Sequence, residues 1–179
     1  RNAMECTVDW MGADGMAFTL VLPDARLAVV TPALGRHSVH NALAAAAVGH
    51  VAGLDAPTIA QGIARGFRAP HRTTLVRLPD RLILDDSYNA SPDAVAAALE
   101  LLETLPGRHV AVLGEMMELG EGTLEGHLAV GRCAAARADV LVVVGAGAAT
   151  IADGALAAGM PPGSVVQVRG CAVRLVHEA

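Results

Sequence analysis

From Thr74 onward, short apolar runs alternate with segments long enough to be helices, and this alternation limits the fold more than any other feature of the chain. The runs "TLVRL" (74–78), "RLILD" (81–85), "HVAVLG" (109–114), "DVLVVVG" (139–145) and "SVVQVRG" (164–170) read as strands. "PDAVAAALELLETL" (92–105), "TLEGHLAVGRCAAARA" (123–138) and "AATIADGALAAG" (148–159) read as helices between the later strands. Ser91 is placed to cap the first of these, with Pro92 at a tolerated first-turn position. Repeats of this kind imply βαβ units and a mostly parallel sheet with right-handed crossovers. The strands are apolar throughout, as in a sheet covered on both faces. The expected fold class is therefore α/β, a Rossmann-like sheet flanked by helices. The final "CAVRLVHEA" (171–179) reads as the start of a further helix.

The earlier part has a different rhythm. "MAFTLVL" (16–22) and "ARLAVVT" (25–31) read as a hairpin around Pro23–Asp24. "HSVHNALAAAAVGHVAGL" (37–54) is an Ala-rich helix closing at Gly53, and "APTIAQGIARGF" (56–67) a shorter one. The polar "RAPHR" (68–72) reads as a linker, which divides the chain into segments 1–70 and 71–179. A hairpin and two helices make a thin core. The first segment is thus expected to be the C-terminal portion of a larger domain, and the second to be cut short at its end.

Composition narrows the function. Hydrophobic residues make up 53% of the chain and aromatics only 2%, so the cores must be built from Ala, Val and Leu. The formal net charge of -5 argues against a nucleic-acid surface. No apolar run approaches the ~20 residues that span a bilayer, and no secretory signal opens the chain. Cys6, Cys133 and Cys171 are odd in number and far apart, which suits free thiols in a reducing cytoplasm. All 13 basic residues are Arg. Without Lys, neither a G-x-x-x-x-G-K-[ST] phosphate loop nor a Schiff-base lysine can form.

Five stretches carry candidate chemistry. "DDSYNASPDA" (85–94) places Asp85, Asp86, Ser87, Tyr88 and Asn89 at the end of a strand, where open α/β sheets bind ligands. Adjacent strand-end side chains face opposite ways, so one Asp at most can face a given cleft. A carboxylate there suits sugar hydroxyls, and a plain helix cap with a solvated acid is the alternative. Arg72 in "PHR" could reach a phosphate bound at a domain junction, or simply lie on the surface. "GRHSVHN" (35–41) sets His37 and Asn41 at a helix opening, where anions are welcome and an Asn can read an adenine edge. Capping by Ser38 is the competing account. "GEMMELGEG" (114–122) brings Glu115, Glu118 and Glu121 near His127, which reads as a solvated acidic loop rather than a metal site. "VVVGAGAAT" (142–150) imitates a dinucleotide fingerprint, but Thr150 holds the third glycine position and no acid lies ~20 residues on. Gly145 and Gly147 are expected to be tight-turn glycines.

Taken in order, these stretches resemble the Mur ligases of peptidoglycan synthesis. "GRHSVHNALAAAA" is similar to the family's G-x-H-N-x-x-N-x-x-A-A, and His71–Arg72 to its junction Arg. "LDDSYNASPDAVAAAL" is close to the D-S-Y-N-A-N-P-x-S of one member, which joins D-alanyl-D-alanine to UDP-N-acetylmuramoyl-tripeptide. "VAVLGEMMELG" followed by His127 resembles that member's V-L-G-x-M-x-E-L-G…H. The resemblance implies that Asn41 contacts adenine, Arg72 the ribose or a phosphate, and Asp86 the ribose. It sets Ser87, Tyr88 and Asn89 on the side of the incoming amine, with His37 in the helix-opening motif. It also implies ATP and Mg²⁺, a cytoplasmic monomer, and amide formation through an acyl phosphate.

This sequence departs from the pattern at Ser38, Ser91 and Ala94, which puts the substrate-side contacts in doubt more than the nucleotide contacts. The family's phosphate-loop Lys, carbamylated Lys and metal ligands lie upstream of the matching stretches. The chain alone is thus expected to be inactive, with no catalytic or metal-binding residue of its own. Three other readings stand beside this one. They are a non-catalytic α/β module that binds a nucleotide or a protein, a related ligase for another amino acid such as a polyglutamate-forming enzyme, and a dinucleotide oxidoreductase.

Overall fold

The computed structural model describes residues 3–66 and 69–169. The chain packs as two compact units, Arg1–Asp85 and Asp86–Ala179.

The first unit opens with an antiparallel sheet of β1 (Glu5–Gly12), β2 (Gly15–Val21) and β3 (Arg26–Thr31), with β2 central. The hairpin is the expected one, whereas β1 is an addition to it. Its apolar alternation is broken by a register shift between Val8 and Trp10, so the period-2 signal does not survive in "CTVDWM". Met16, Phe18 and Leu20 of β2 are fully buried. They form one core with Val29, with Val39, Ala42 and Ala46 of α1 (His37–Val51), and with Ile59 of α2 (Ala56–Arg65). The two helices meet closely: a side chain at Gly49 would come within 3.0 Å of Ile59 Cγ1. Asp55 caps α2, its Oδ1 accepting from the Thr58 N–H at 2.8 Å. That bond, through side chain and backbone of Thr58, holds the carboxyl below its ordinary pKa.

β4 (Thr74–Arg77) and β5 (Leu82–Asp85) also belong to this unit. They form their own antiparallel pair, with Thr74 opposite Asp85, and are not hydrogen-bonded to the parallel sheet. This corrects the expectation that they open that sheet. Only four residues separate the strands, room for a hairpin but not for a parallel crossover.

The second unit holds the parallel sheet, β6 (Val110–Leu113), β7 (Val140–Val144) and β8 (Val165–Val168) in sequential order. It packs with α3 (Pro92–Glu103), α4 (Thr123–Arg137) and α5 (Ala149–Ala157). Ser91 caps α3 as expected, accepting from the Ala94 N–H. The core joins Leu99, Ala111, Val130, Ala134, Leu141, Val143, Ile151 and Ala155, a list without a single aromatic. α4 and α5 interlock through two glycines. A Cβ on Gly131 would collide with the Ile151 carbonyl and lie 2.8 Å from the Ala155 nitrogen. A Cβ on Gly154 would lie 2.9 Å from Leu128 Cα. The helix expected at 171–179 falls outside the described residues, as does Arg68 of the linker. No helix among the described residues is long and apolar enough to cross a membrane.

Candidate functional site

The first unit gathers His37, Asn41 and the turn around Arg72. Gly35 has φ +78°, and a side chain there would strike the His37 ring, 2.6 Å from Cε1. The missing Cβ therefore lets the imidazole fold back over the start of α1. His37 Nε2 lies 3.4 Å from Thr73 Oγ1, and its Nδ1 is buried with no hydrogen-bond partner among the described residues. Asn41 sits one turn further along α1 and is exposed. Ser38 does not cap this helix. Its hydroxyl donates back to the Leu34 carbonyl at 2.7 Å, so α1 begins with no side-chain cap and no acid in its first turn. The Ser38 and Val39 N–H groups instead turn back to the Gly35 and Arg36 carbonyls, at 3.0 and 3.1 Å.

Arg72 is exposed, with its backbone N–H on the Ala69 carbonyl at 3.3 Å. Both its neighbours adopt left-handed backbone, His71 at φ +57° and Thr73 at φ +43°. His71 Nδ1 bonds Asp85 Oδ2 at 2.8 Å. Of the two adjacent acids, Asp85 is thus engaged by His71 within the first unit. Sequence reasoning passed over His71 and Thr73. In "PHR" the guanidinium of Arg72 carries the recognisable chemistry, and the left-handed backbone on either side leaves no mark in the sequence.

Asp86 opens the second unit and is half-buried. Ser87, Tyr88 and Asn89 follow in an exposed turn, with Tyr88 67% exposed. Asn89 Oδ1 accepts from the N–H of Ala90 at 2.9 Å, shaping the approach to α3. The polar run therefore divides into an acid bound to His71, a turn that carries Asp86, Ser87, Tyr88 and Asn89, and a helix cap at Ser91.

The acidic loop after β6 is built on a histidine. His127 is 1% exposed and uses both ring nitrogens on backbone: Nε2 accepts from the Met116 N–H at 3.0 Å and Nδ1 donates to the Thr123 carbonyl at 2.7 Å. Glu115, Glu118 and Glu121 are exposed, and Glu118 has φ +63°. No group of three His, Cys, Asp or Glu among the described residues is placed to hold a metal. Gly145 is the tight-turn glycine expected, with φ +94°. Gly147 is not. It keeps ordinary backbone, and a side chain there would collide with the Glu115 carboxyl group. A carboxylate from the neighbouring loop thus lies where a dinucleotide's pyrophosphate would approach this glycine turn.

Comparison with known proteins agrees with the motifs. The chain is 40% identical over 133 residues to the UDP-N-acetylmuramoyl-tripeptide--D-alanyl-D-alanine ligase of Escherichia coli, a match covering 73% of this chain and 29% of that protein. It is 40% identical over 140 residues to the ligase of the same name from Mycobacterium tuberculosis, covering 73% and 27%. Its structure superposes on a crystal structure of MurF from Acinetobacter baumannii with a TM-score of 0.85 and 27% identity, over 97% of this chain and 37% of that one. The chain therefore spans less than a third of the length of these curated relatives. The family model described as "Mur ligase, glutamate ligase domain" matches residues 71–179, and on that match the chain belongs to the Mur ligase family.

Proposed function

We propose that this chain is the C-terminal part of an ATP-dependent ligase that joins D-alanyl-D-alanine to UDP-N-acetylmuramoyl-tripeptide, acting as a cytoplasmic monomer in peptidoglycan synthesis. The observation that carries this is the 40% identity to ligases of that name over 73% of the chain. The border between the ATP-binding portion and the C-terminal domain is placed at residues 70/71.

The arrangement in each unit suits the roles assigned. An exposed amide in the first turns of a helix without a side-chain cap, and an exposed guanidinium in the turn after α2, suit a nucleotide, with Asn41 on the adenine edge and Arg72 on ribose or phosphate. Asp86 accepts from ribose hydroxyls, and Ser87, Tyr88 and Asn89 meet the incoming amine. The γ-phosphoryl group of ATP passes to the tripeptide carboxylate, the dipeptide amine attacks the acyl carbon, and phosphate leaves. Positioning and charge stabilisation are what the protein supplies to such a transfer. In this reading the Mg²⁺ ligands and the catalytic lysines belong to the rest of the ligase.

The test is phosphate release from ATP, Mg²⁺ and UDP-N-acetylmuramoyl-tripeptide, with and without D-alanyl-D-alanine. It is run on the full-length protein carrying this chain and on the chain alone. Dipeptide-dependent release by the full-length protein only is expected. Release that ignores the dipeptide but follows another amino acid would move the assignment to a related ligase.

A further inference from the structure

We propose that His71, Thr73 and Asp85 are positioning residues for Arg72, a clamp that holds the base of the guanidinium chain. The proposal rests on the nucleotide role given to Arg72 above. Among the described residues only three non-glycine positions have positive φ, and two of them flank Arg72. Thr73 is β-branched, and a β-branched residue in left-handed backbone is a true outlier that persists only when its surroundings impose it.

The surroundings are on hand. His71 is tied at 2.8 Å to Asp85, the last residue of β5 and the cross-strand partner of Thr74. Thr73 Oγ1 lies 3.4 Å from His37 Nε2, at the first residue of α1, whose ring is seated over Gly35. One neighbour of Arg72 is therefore anchored to a strand end and the other to a helix start, both regular elements. Two left-handed residues around a single intervening one turn the backbone sharply, leaving Arg72 exposed at the apex. A long Arg side chain loses much rotamer freedom on binding an anion. Fixing its Cα and the direction of its Cβ removes part of that loss in advance. Releasing either tether would let residue 71 or 73 relax to negative φ and re-aim the side chain.

The experiment uses the full-length ligase and reads KM for ATP, KM for D-alanyl-D-alanine, kcat, and the Kd for ADP by calorimetry. His71→Ala is expected to raise KM for ATP and the Kd for ADP about 2- to 5-fold, the effect of losing one exposed pair. The dipeptide KM and kcat should stay within twofold. His71→Asn should restore the wild-type values, because Asn tolerates left-handed backbone and sets an amide nitrogen where Nδ1 stood. In an Arg72→Ala background, His71→Ala should add nothing further. An equal loss in both backgrounds, an effect confined to kcat, or no change on His71→Ala while Arg72→Ala weakens ADP binding would overturn the clamp alone. If Arg72→Ala itself leaves ADP binding untouched, the nucleotide role of Arg72 fails and the clamp with it.

Discussion

Alanine in place of glycine inside a helix ordinarily stabilises it by about 1 kcal/mol. At Gly131 the sign should reverse. The new Cβ would lie 2.8 Å from the Ala155 nitrogen and 3.0 Å from the Gly154 carbonyl carbon, and would overlap the Ile151 carbonyl. Non-bonded carbon–oxygen contacts rarely close below roughly 3.3 Å. The α4–α5 pair must therefore open by roughly half an ångström at Ala155, and by more at Ile151. None of these atoms can rotate away, because all are backbone of a regular helix. Opening the pair loosens Val130, Ala134, Ile151 and Ala155, which are nearly or fully buried. Overpacking of this kind costs about 3 kcal/mol at the upper end of its usual range. Set against a propensity gain of about 1 kcal/mol, the net loss is about 2 kcal/mol, or roughly 10 °C in the melting of a unit this size. Gly62→Ala in α2 is the control, since nothing lies within 4 Å of its added Cβ, and it should stabilise by about 0.5–1 kcal/mol. Far-UV circular dichroism follows both units, while the single tryptophan, Trp10, reports the first alone. Gly131→Ala should lower the dichroism transition and leave the Trp10 transition in place. A Gly131→Ala chain as stable as wild type would refute the close approach of the two helices.

Three other outcomes follow from the packing. His127→Leu strands the buried Met116 N–H and should cost about 1–3 kcal/mol, read as a lower urea midpoint by circular dichroism with the Trp10 transition unmoved. Burial pushes the Cys133 thiol up, helped by the Glu100 and Glu103 carboxylates against the opposing pull of Arg137. Its alkylation by iodoacetamide, followed by mass spectrometry, should therefore run at higher pH in the folded chain than in urea, and coincident profiles would contradict that burial. The carboxyl of Asp55 is lowered, so its capping of α2 is in full effect above its unfolded pKa of about 3.9 and is lost as pH falls through the lower folded value. The stability gap between wild type and Asp55→Ala should accordingly stay constant from neutral pH down to about pH 4 and shrink only below it, which acid titration of the melting midpoint will show.

The second unit was legible because its strands are continuous apolar runs and its first helix opens on an ordinary cap, Ser91. β1 was not, since a bulge at Val8–Trp10 breaks the alternation that would reveal it. The pairing of β4 with β5 was hidden for another reason: an apolar run does not state its partner, and the four-residue gap outweighs the strand–helix rhythm that follows. For the site, the residues were visible and their connections were not. Arg72, Asn41 and Asp86 stand in recognisable motifs, whereas the ties from His71 to Asp85 and from Thr73 to His37 span 14 and 36 positions. Left-handed backbone at a histidine and a threonine leaves no trace in composition. The Gly131–Gly154 contact was equally silent, because either glycine alone reads as a mere flaw in a helix.

The Glu115 side chain leaning on Gly147 has a bearing on what the parallel sheet can be kept from binding. A glycine turn between a parallel strand and a helix is a socket that many small anions fit. Here the Glu115 carboxylate lies against the turn and sets a negative charge where an anion would approach. One side chain, rather than a change of fold, thus sets the charge that an approaching ligand meets at that corner.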